Sequence, residues 1–396
     1  MSLEEKLIST LKSLLSSNFT GLDPGSFYSN NFRKYIFKRN SGLRRIWNSL
    51  FLRLSPFFGD FLILFFKLQK ISSTKAISLT LLGLKNLHDK NILNSIDHES
   101  IINELIKVLL NKRCLKINAW CPDFDYTINS NFIPKSSIGV INTVFSCEAI
   151  WQLRDKIPNY EKVIISTAHS CYSLLPIYED SNVRCFSYNQ NTQYYVHNSN
   201  LFITLLLLRA NEIDNSLFNY KTILKHIYYF INDFKKNNII RYAGEPTVSN
   251  TVDNYHTGFV LRTLYDINKL IPNKFQYIKH DIEDILIKGL NYYKVNFIKN
   301  HGIPKFPNNI FSVNAHSTAE ACLILDKFKS YLTTKDINEM KISIFKSQEA
   351  LWCEYKNHFI SDVFVYKKFN FSKNKLFMPR WSLAWMFYGL SAILSL

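Results

Sequence analysis

The feature that most restricts this chain is a pattern that recurs along it. A short polar stretch gives way to an apolar run of helical periodicity, six times, with a period of about 55 to 65 residues. The starts are Ser72-Ser73-Thr74, Asn142-Thr143, Asn198-Ser199-Asn200, Asp253-Asn254, Asn314 and Pro379-Arg380-Trp381-Ser382. A small polar side chain ahead of an apolar run caps a helix, because its oxygen takes a backbone N–H that has no partner inside the helix. A period of this length holds two helices and their loops, and repetition at a fixed period marks a repeat architecture. Six helical hairpins closing on themselves make an all-α (α/α)6 toroid. Its inner helices would all start at one face and ring its mouth.

Inner helices are expected over 72–90, 142–155, 198–212, from 254, 314–328 and 380–395. Outer helices are expected over 99–113, 160–177, 216–236, 277–298 and 335–356. Alternating Phe, Val and Tyr over 357–378, and a polar aromatic stretch at 187–197, predict short β-hairpins on the rim. Residues 1–70 read as an N-terminal helical, basic and aromatic extension, and 71–396 as the toroid.

The chain has 396 residues and is 47% hydrophobic, enough for a large core. Its net charge of +17 favours an anionic partner. A bias toward Lys, Asn, Ile and Phe explains part of that charge by composition alone. The expected partner is an acidic or lipid-linked glycan, not nucleic acid, and the oligomeric state is left open. Seven scattered Cys form no CxxC pair, so free thiols in a reducing, cytoplasmic setting are expected. No metal and no cofactor is expected. The N-terminus carries Glu4 and Glu5 and lacks the basic start of a signal peptide. The apolar stretch Leu54 to Phe66 is short and broken by Pro56, Gly59 and Asp60, so it does not span a bilayer. Arg33, Lys34, Lys38, Arg39, Arg44 and Arg45 precede it, which makes 33–66 a candidate peripheral membrane contact. A buried helix with a solvated basic flank is the plainer alternative.

The candidate chemistry gathers at helix starts. Asp253, Tyr255 and His256 bring a carboxylate, a phenol and an imidazole to one helix N-terminus, a set able to exchange protons and bond sugar hydroxyls. Asn314 and His316 repeat part of it in a shared N-x-H-[Ser/Thr] pattern. The loop before the second inner helix supplies Asp125, the second carboxylate of a hydrolytic reading, with Trp120 and Tyr126 able to stack on a sugar ring. Asn198, Arg241, Asn314, His316, Glu320, Arg380 and Trp381 are the other candidate substrate contacts, with Arg380 placed to hold a carboxylate in bidentate fashion. For each, capping or core packing is the alternative.

DNYHTGF (253–259), AHSTAEA (315–321) behind Gly302-x-Pro304-Lys305, and the terminal RWSLAWM (380–386) resemble a family of bacterial toroid proteins associated with cell-surface polysaccharide biosynthesis. Their toroid is similar to that of six-hairpin glycosidases, polysaccharide lyases and the C-terminal domain of glucuronyl C5-epimerases. The resemblance covers about 115 to 396 and implies a glycan-related role. Asn314 stands where the family often carries Asp, which counts against hydrolysis by two carboxylates. β-Elimination or epimerisation by Tyr255 and His256 stays open beside hydrolysis, as does a non-catalytic glycan-binding or assembly role.

Overall fold

The computed structural model of the chain describes residues 1–23, 70–93, 96–128, 131–309, 311–366, 369–372 and 376–394. The candidate membrane contact at 33–66 lies outside them. The inner helices are α2 (Thr74–Asp89), α4 (Val140–Gln152), α6 (His197–Ile213), α8 (Asn254–Leu270), α10 (Ala315–Lys327) and α12 (Ala384–Ile393). Each packs on the next, and α12 packs on both α10 and α2, so the ring closes. The outer helices α3 (His98–Asn111), α5 (Tyr160–Leu174), α7 (Tyr220–Asn237), α9 (Gln276–Phe297) and α11 (Thr334–Leu351) each lie against their inner partner. This is the (α/α)6 toroid.

The sixth outer position is filled by α1 (Leu3–Ser16), which packs against α12. Its Leu7, Leu11 and Leu14 are buried in the same core as the ring. Lys6 on α1 reaches Glu349 of α11 at 2.6 Å. The first helix is thus part of the ring, because the two chain ends together make the sixth hairpin.

The caps follow the sequence in part. Ser73, Asp253 and Asn314 cap α2, α8 and α10 by accepting the N–H of Ala76, His256 and Ser317. Asn142 and Asn198 fall inside the first turns of α4 and α6, which begin two residues and one residue earlier. The last inner helix is preceded by a π turn over Pro379–Leu383. On the rim, Asp362–Tyr366 pairs antiparallel with Phe369–Ser372 and with Ser312–Asn314, the hairpin expected from the alternation. A bridge between Ser187 and Tyr195 closes the other expected rim hairpin. No described helix is long and apolar enough to cross a membrane.

Closure depends on close approach. A Cβ at Gly389 would lie 2.5 Å from the Ala319 Cα, and one at Gly83 would lie 2.6 Å from the Phe387 ring. Gly389→Ala forces α12 away from α10 backbone, which cannot yield as a flexible side chain does. It is expected to lower the unfolding free energy by about 1–3 kcal/mol in urea titration. Leu11→Ala, distant from the mouth, is expected to cost ~2–5 kcal/mol in a single transition if α1 is integral to the ring.

Candidate active site

All inner helices begin at the mouth, so their first turns deliver its side chains. Lys75, Asn198, Tyr255, His316 and Trp385 are each the second residue of their inner helix. That shared position brings Lys75, Tyr255, His316 and Trp385, from four of the six hairpins, together at the axis. His316 lies flat between Tyr255 and Trp385, with ring centroids 4.1 Å and 4.2 Å away. Trp381 meets it edge-on at 5.6 Å. Below, Phe145, Phe202, Phe259 and Trp385 form an aromatic floor across the axis, with centroids 5.4–5.9 Å apart. A lysine amino group stands at each end of the stack. Lys305 lies 5.4 Å from the Tyr255 centroid and Lys75 lies 4.7 Å from that of Trp385.

Neither ring nitrogen of His316 has a hydrogen-bond partner among the described residues. Burial, then the charges of Lys75, His256, Lys305 and Arg380, hold its pKa well below the usual histidine range. His316 is therefore a neutral imidazole with one donor and one acceptor unused. Leaving such a pair unpaired costs about 1–3 kcal/mol per group, which a polar ligand would recover.

Beside it stands an oriented pair. Asp253 caps α8 through Oδ1, which accepts the His256 N–H at 2.9 Å, and its Oδ2 lies 2.7 Å from His256 Nδ1. A carboxylate only accepts, so Nδ1 carries the proton and Nε2 is left with its lone pair. The His256 side chain is 23% exposed against 4% for Asp253, so the imidazole is the open end of the pair. Tyr242 packs edge-on against His256 at 4.6 Å. Burial, then Asp253, raises the Tyr255 hydroxyl well above its usual range and keeps it a donor.

The two matching motifs do not sit in one register. Asp253 caps α8 whereas Asn314 itself caps α10, so His256 is the third helical residue and His316 the second. That one-residue offset is a rotation of about 100° around the helix. It leaves His256 at the open rim and buries His316. Asn254 instead accepts the Tyr293 hydroxyl at 2.8 Å. Asn314 donates to Asp362 Oδ1 at 2.8 Å, so a carboxylate from the neighbouring strand stands beside the position where the resemblance expects one.

Several predicted contacts serve the fold. Trp120 is fully buried and its indole N–H donates to the Leu109 carbonyl at 2.8 Å, so it stacks on no ligand. Glu320 is fully buried and takes both arms of Arg262 at 2.6 Å and 2.9 Å. Arg241 grips Asp233, which also holds His197 at 3.1 Å. Arg380 is held bidentately by Asp23, so its fork is already filled. Asp123 caps α2 by accepting from Thr74, and Asp125 accepts the Lys135 N–H at 2.7 Å. Tyr126 packs edge-on to Phe124, near the mouth loop. Burial pushes the Cys121 and Cys147 thiols up to about 12 and Cys322 higher, so none is a ready nucleophile. Among the described residues no three His, Cys, Asp or Glu gather to hold a metal. Lys75, Lys305, Tyr242 and Asp362 also stand at this face, and none of them was among the candidate site residues read from the sequence. The shared second position would have found Lys75 once the helix starts were known.

At the opposite end of the axis lies a cavity of about 250 Å³ lined by Glu148, Arg262, Asp266, Lys327 and Tyr388. Its charges are paired between neighbouring helices: Glu148 with Arg209 at 2.7 Å, and Asp266 with Lys327 at 2.5 Å. Polar groups at this end clamp the ring, whereas at the mouth His316 leaves both ring nitrogens without a described partner.

No family model and no curated protein matches the sequence. The fold matches the crystal structure of a sugar epimerase from a ruminal bacterium with a TM-score of 0.59, at 9% identity, over 81% of this chain and 87% of that one. It also matches the cellobiose 2-epimerase of Bacillus thermoamylovorans B4167 with a TM-score of 0.57, at 9% identity, over 80% and 87%. At that identity the likeness establishes the toroid.

Glu320→Gln leaves Arg262 charged and buried without its partner, and is expected to cost ~3–5 kcal/mol in urea unfolding. Burial raises the Glu148 pKa, but Arg209 outweighs it and brings the carboxyl down to about 2. Its folded pKa lies below the unfolded one, so its stabilisation is present above the ordinary carboxyl range and lost as pH falls toward about 2. Glu148→Gln should flatten that part of the stability–pH curve.

Proposed function

We propose that the mouth transfers a proton at a carbon beside the carbonyl of an open-chain sugar, as a sugar epimerase or a close chemical relative does. The observation that carries this is the Asp253–His256 pair opening beside a His316 whose nitrogens have no described partner. His256 Nε2 is the base that takes the proton. Its Nδ1–H stays on Asp253, which stabilises the imidazolium that forms. The unused edge of His316 and the Tyr255 hydroxyl bond the carbonyl oxygen and a neighbouring hydroxyl, where charge develops as the enediol forms. Return of the proton to the other face inverts the centre. Both structural neighbours are sugar epimerases by name, which favours this chemistry.

Hydrolysis by two carboxylates fits less well. Asp253 holds His256, Asp362 holds Asn314, Asp23 holds Arg380, and Asp123 holds Thr74. The setting we propose is cytoplasmic assembly of a cell-surface polysaccharide, on an acidic or lipid-linked glycan. The motif resemblance supports the pathway and the seven free thiols support the compartment.

The test is proton exchange in D2O with a panel of neutral and uronic reducing sugars, read by NMR. Loss of the C–H signal next to the carbonyl is expected. His256→Gln should slow it by about 10²–10⁴-fold, and Asp253→Asn should also slow it because the imidazole loses its fixed tautomer. Sugar binding without exchange would leave the mouth a glycan-binding groove and end the epimerase reading.

A further inference from the structure

Among the described residues two lysines are deeply buried, and they differ in what surrounds them. Lys6 has Glu349 at 2.6 Å and Gln348 at 3.1 Å. Lys75 is only 5% exposed, and the carboxylates that act on it, Asp23 and Glu320, do so without a described hydrogen bond or ion pair to its amine. Its amine sees ring faces instead: Phe145 at 4.5 Å, Trp385 at 4.7 Å and Phe259 at 5.9 Å. The nearest charges are committed elsewhere, Arg380 to Asp23 and Glu320 to Arg262. A lysine placed for stability alone would have a carboxylate, as Lys6 does, because a buried ammonium without a partner is costly. Lys75 also shares its helical position with Tyr255 and His316, so its side chain enters the same site.

We propose that Lys75 is a covalent catalyst: its amine condenses with the carbonyl carbon of an open-chain sugar in the mouth. This rests on the proton-transfer reading above. The amine nitrogen forms a bond to the carbonyl carbon, the carbonyl oxygen leaves as water, and a protonated imine remains. The protonated imine replaces the carbonyl as the electron sink, so His256 removes the proton of the adjacent carbon more readily, an enamine forms in place of the enediol, and His316 and Tyr255 bond the neighbouring hydroxyls. After the proton returns, water adds to the imine and releases the sugar and the free amine. No oxidant or reductant is consumed. A lysine buried in an apolar pocket beside another cation is the setting that keeps the amine neutral and nucleophilic. Burial and the Arg380 charge push Lys75 in that direction, well below the usual lysine range.

The test is reductive trapping. Full-length protein is incubated with glyceraldehyde and cyanoborohydride at neutral pH, and the modified lysines are mapped by peptide mass spectrometry. Lys75 is expected to be modified at least ~10-fold faster than the exposed lysines, since only a neutral amine attacks. Lys75→Arg keeps a cation but forms no imine. It should lose both the adduct and proton exchange, with circular dichroism confirming its fold. Labelling spread over exposed lysines with Lys75 spared, or wild-type exchange in Lys75→Arg, overturns the proposal. If no sugar exchanges a proton, the epimerase reading falls, while the glyceraldehyde adduct still decides whether Lys75 is a nucleophile.

Discussion

The wedge formed by α12 between α10 and α2 is the contact on which the rest of the structure depends. It joins the last inner helix to the first, and it turns a row of hairpins into a ring. Gly389 and Gly83 admit that approach because no Cβ intervenes at either face. Helix α1 then covers α12 from outside with Leu7, Leu11 and Leu14. Residues from both ends of the chain thus complete the same hairpin. Ring closure brings the helix starts to a common face, and so puts Lys75, Tyr255, His316 and Trp385 within reach of one another.

The two ends of the ring use polarity differently. Where the inner helices end, Glu148, Arg209, Asp266 and Lys327 pair across neighbouring helices. Where they begin, the aromatic floor fills the axis, the His316 nitrogens lack described partners and the Lys75 amine faces aromatic rings. Desolvation acts on both ends alike. Pairing offsets it at one end and sets the protonation states at the other, holding His316 neutral and favouring the neutral Lys75 amine. Two carboxylate–imidazole pairs are described at the helix starts: Asp233 holds a fully buried His197, whereas Asp253 holds His256 at the rim, whose imidazole is the more exposed.

Much of the architecture was legible in the residues. The predicted inner helix at 72–90 is observed over Thr74–Asp89, and the outer one at 277–298 over Gln276–Phe297. Capping is local, and apolar periodicity reflects the face that must be buried. The site was legible less evenly. DNYH marked the Asp–His pair because its members are three residues apart on one helix turn. Trp120, Glu320 and Arg380 read as ligand contacts because of their chemistry. Their occupied partners, Leu109, Arg262 and Asp23, lie between 11 and 357 residues away in sequence.

By itself, then, the sequence determined the hairpin count, the helix starts and the residue types gathered at the mouth, since each follows from interactions within a helix turn or from the apolar repeat. Tertiary structure decided which polar groups are paired and which are left open. It also decided that α1 completes the ring and that a one-residue offset separates a rim histidine from a buried one. The reason is physical. A hydrogen bond or ion pair between distant residues carries no sequence period, and burial of an ionisable group is a property of everything packed around it.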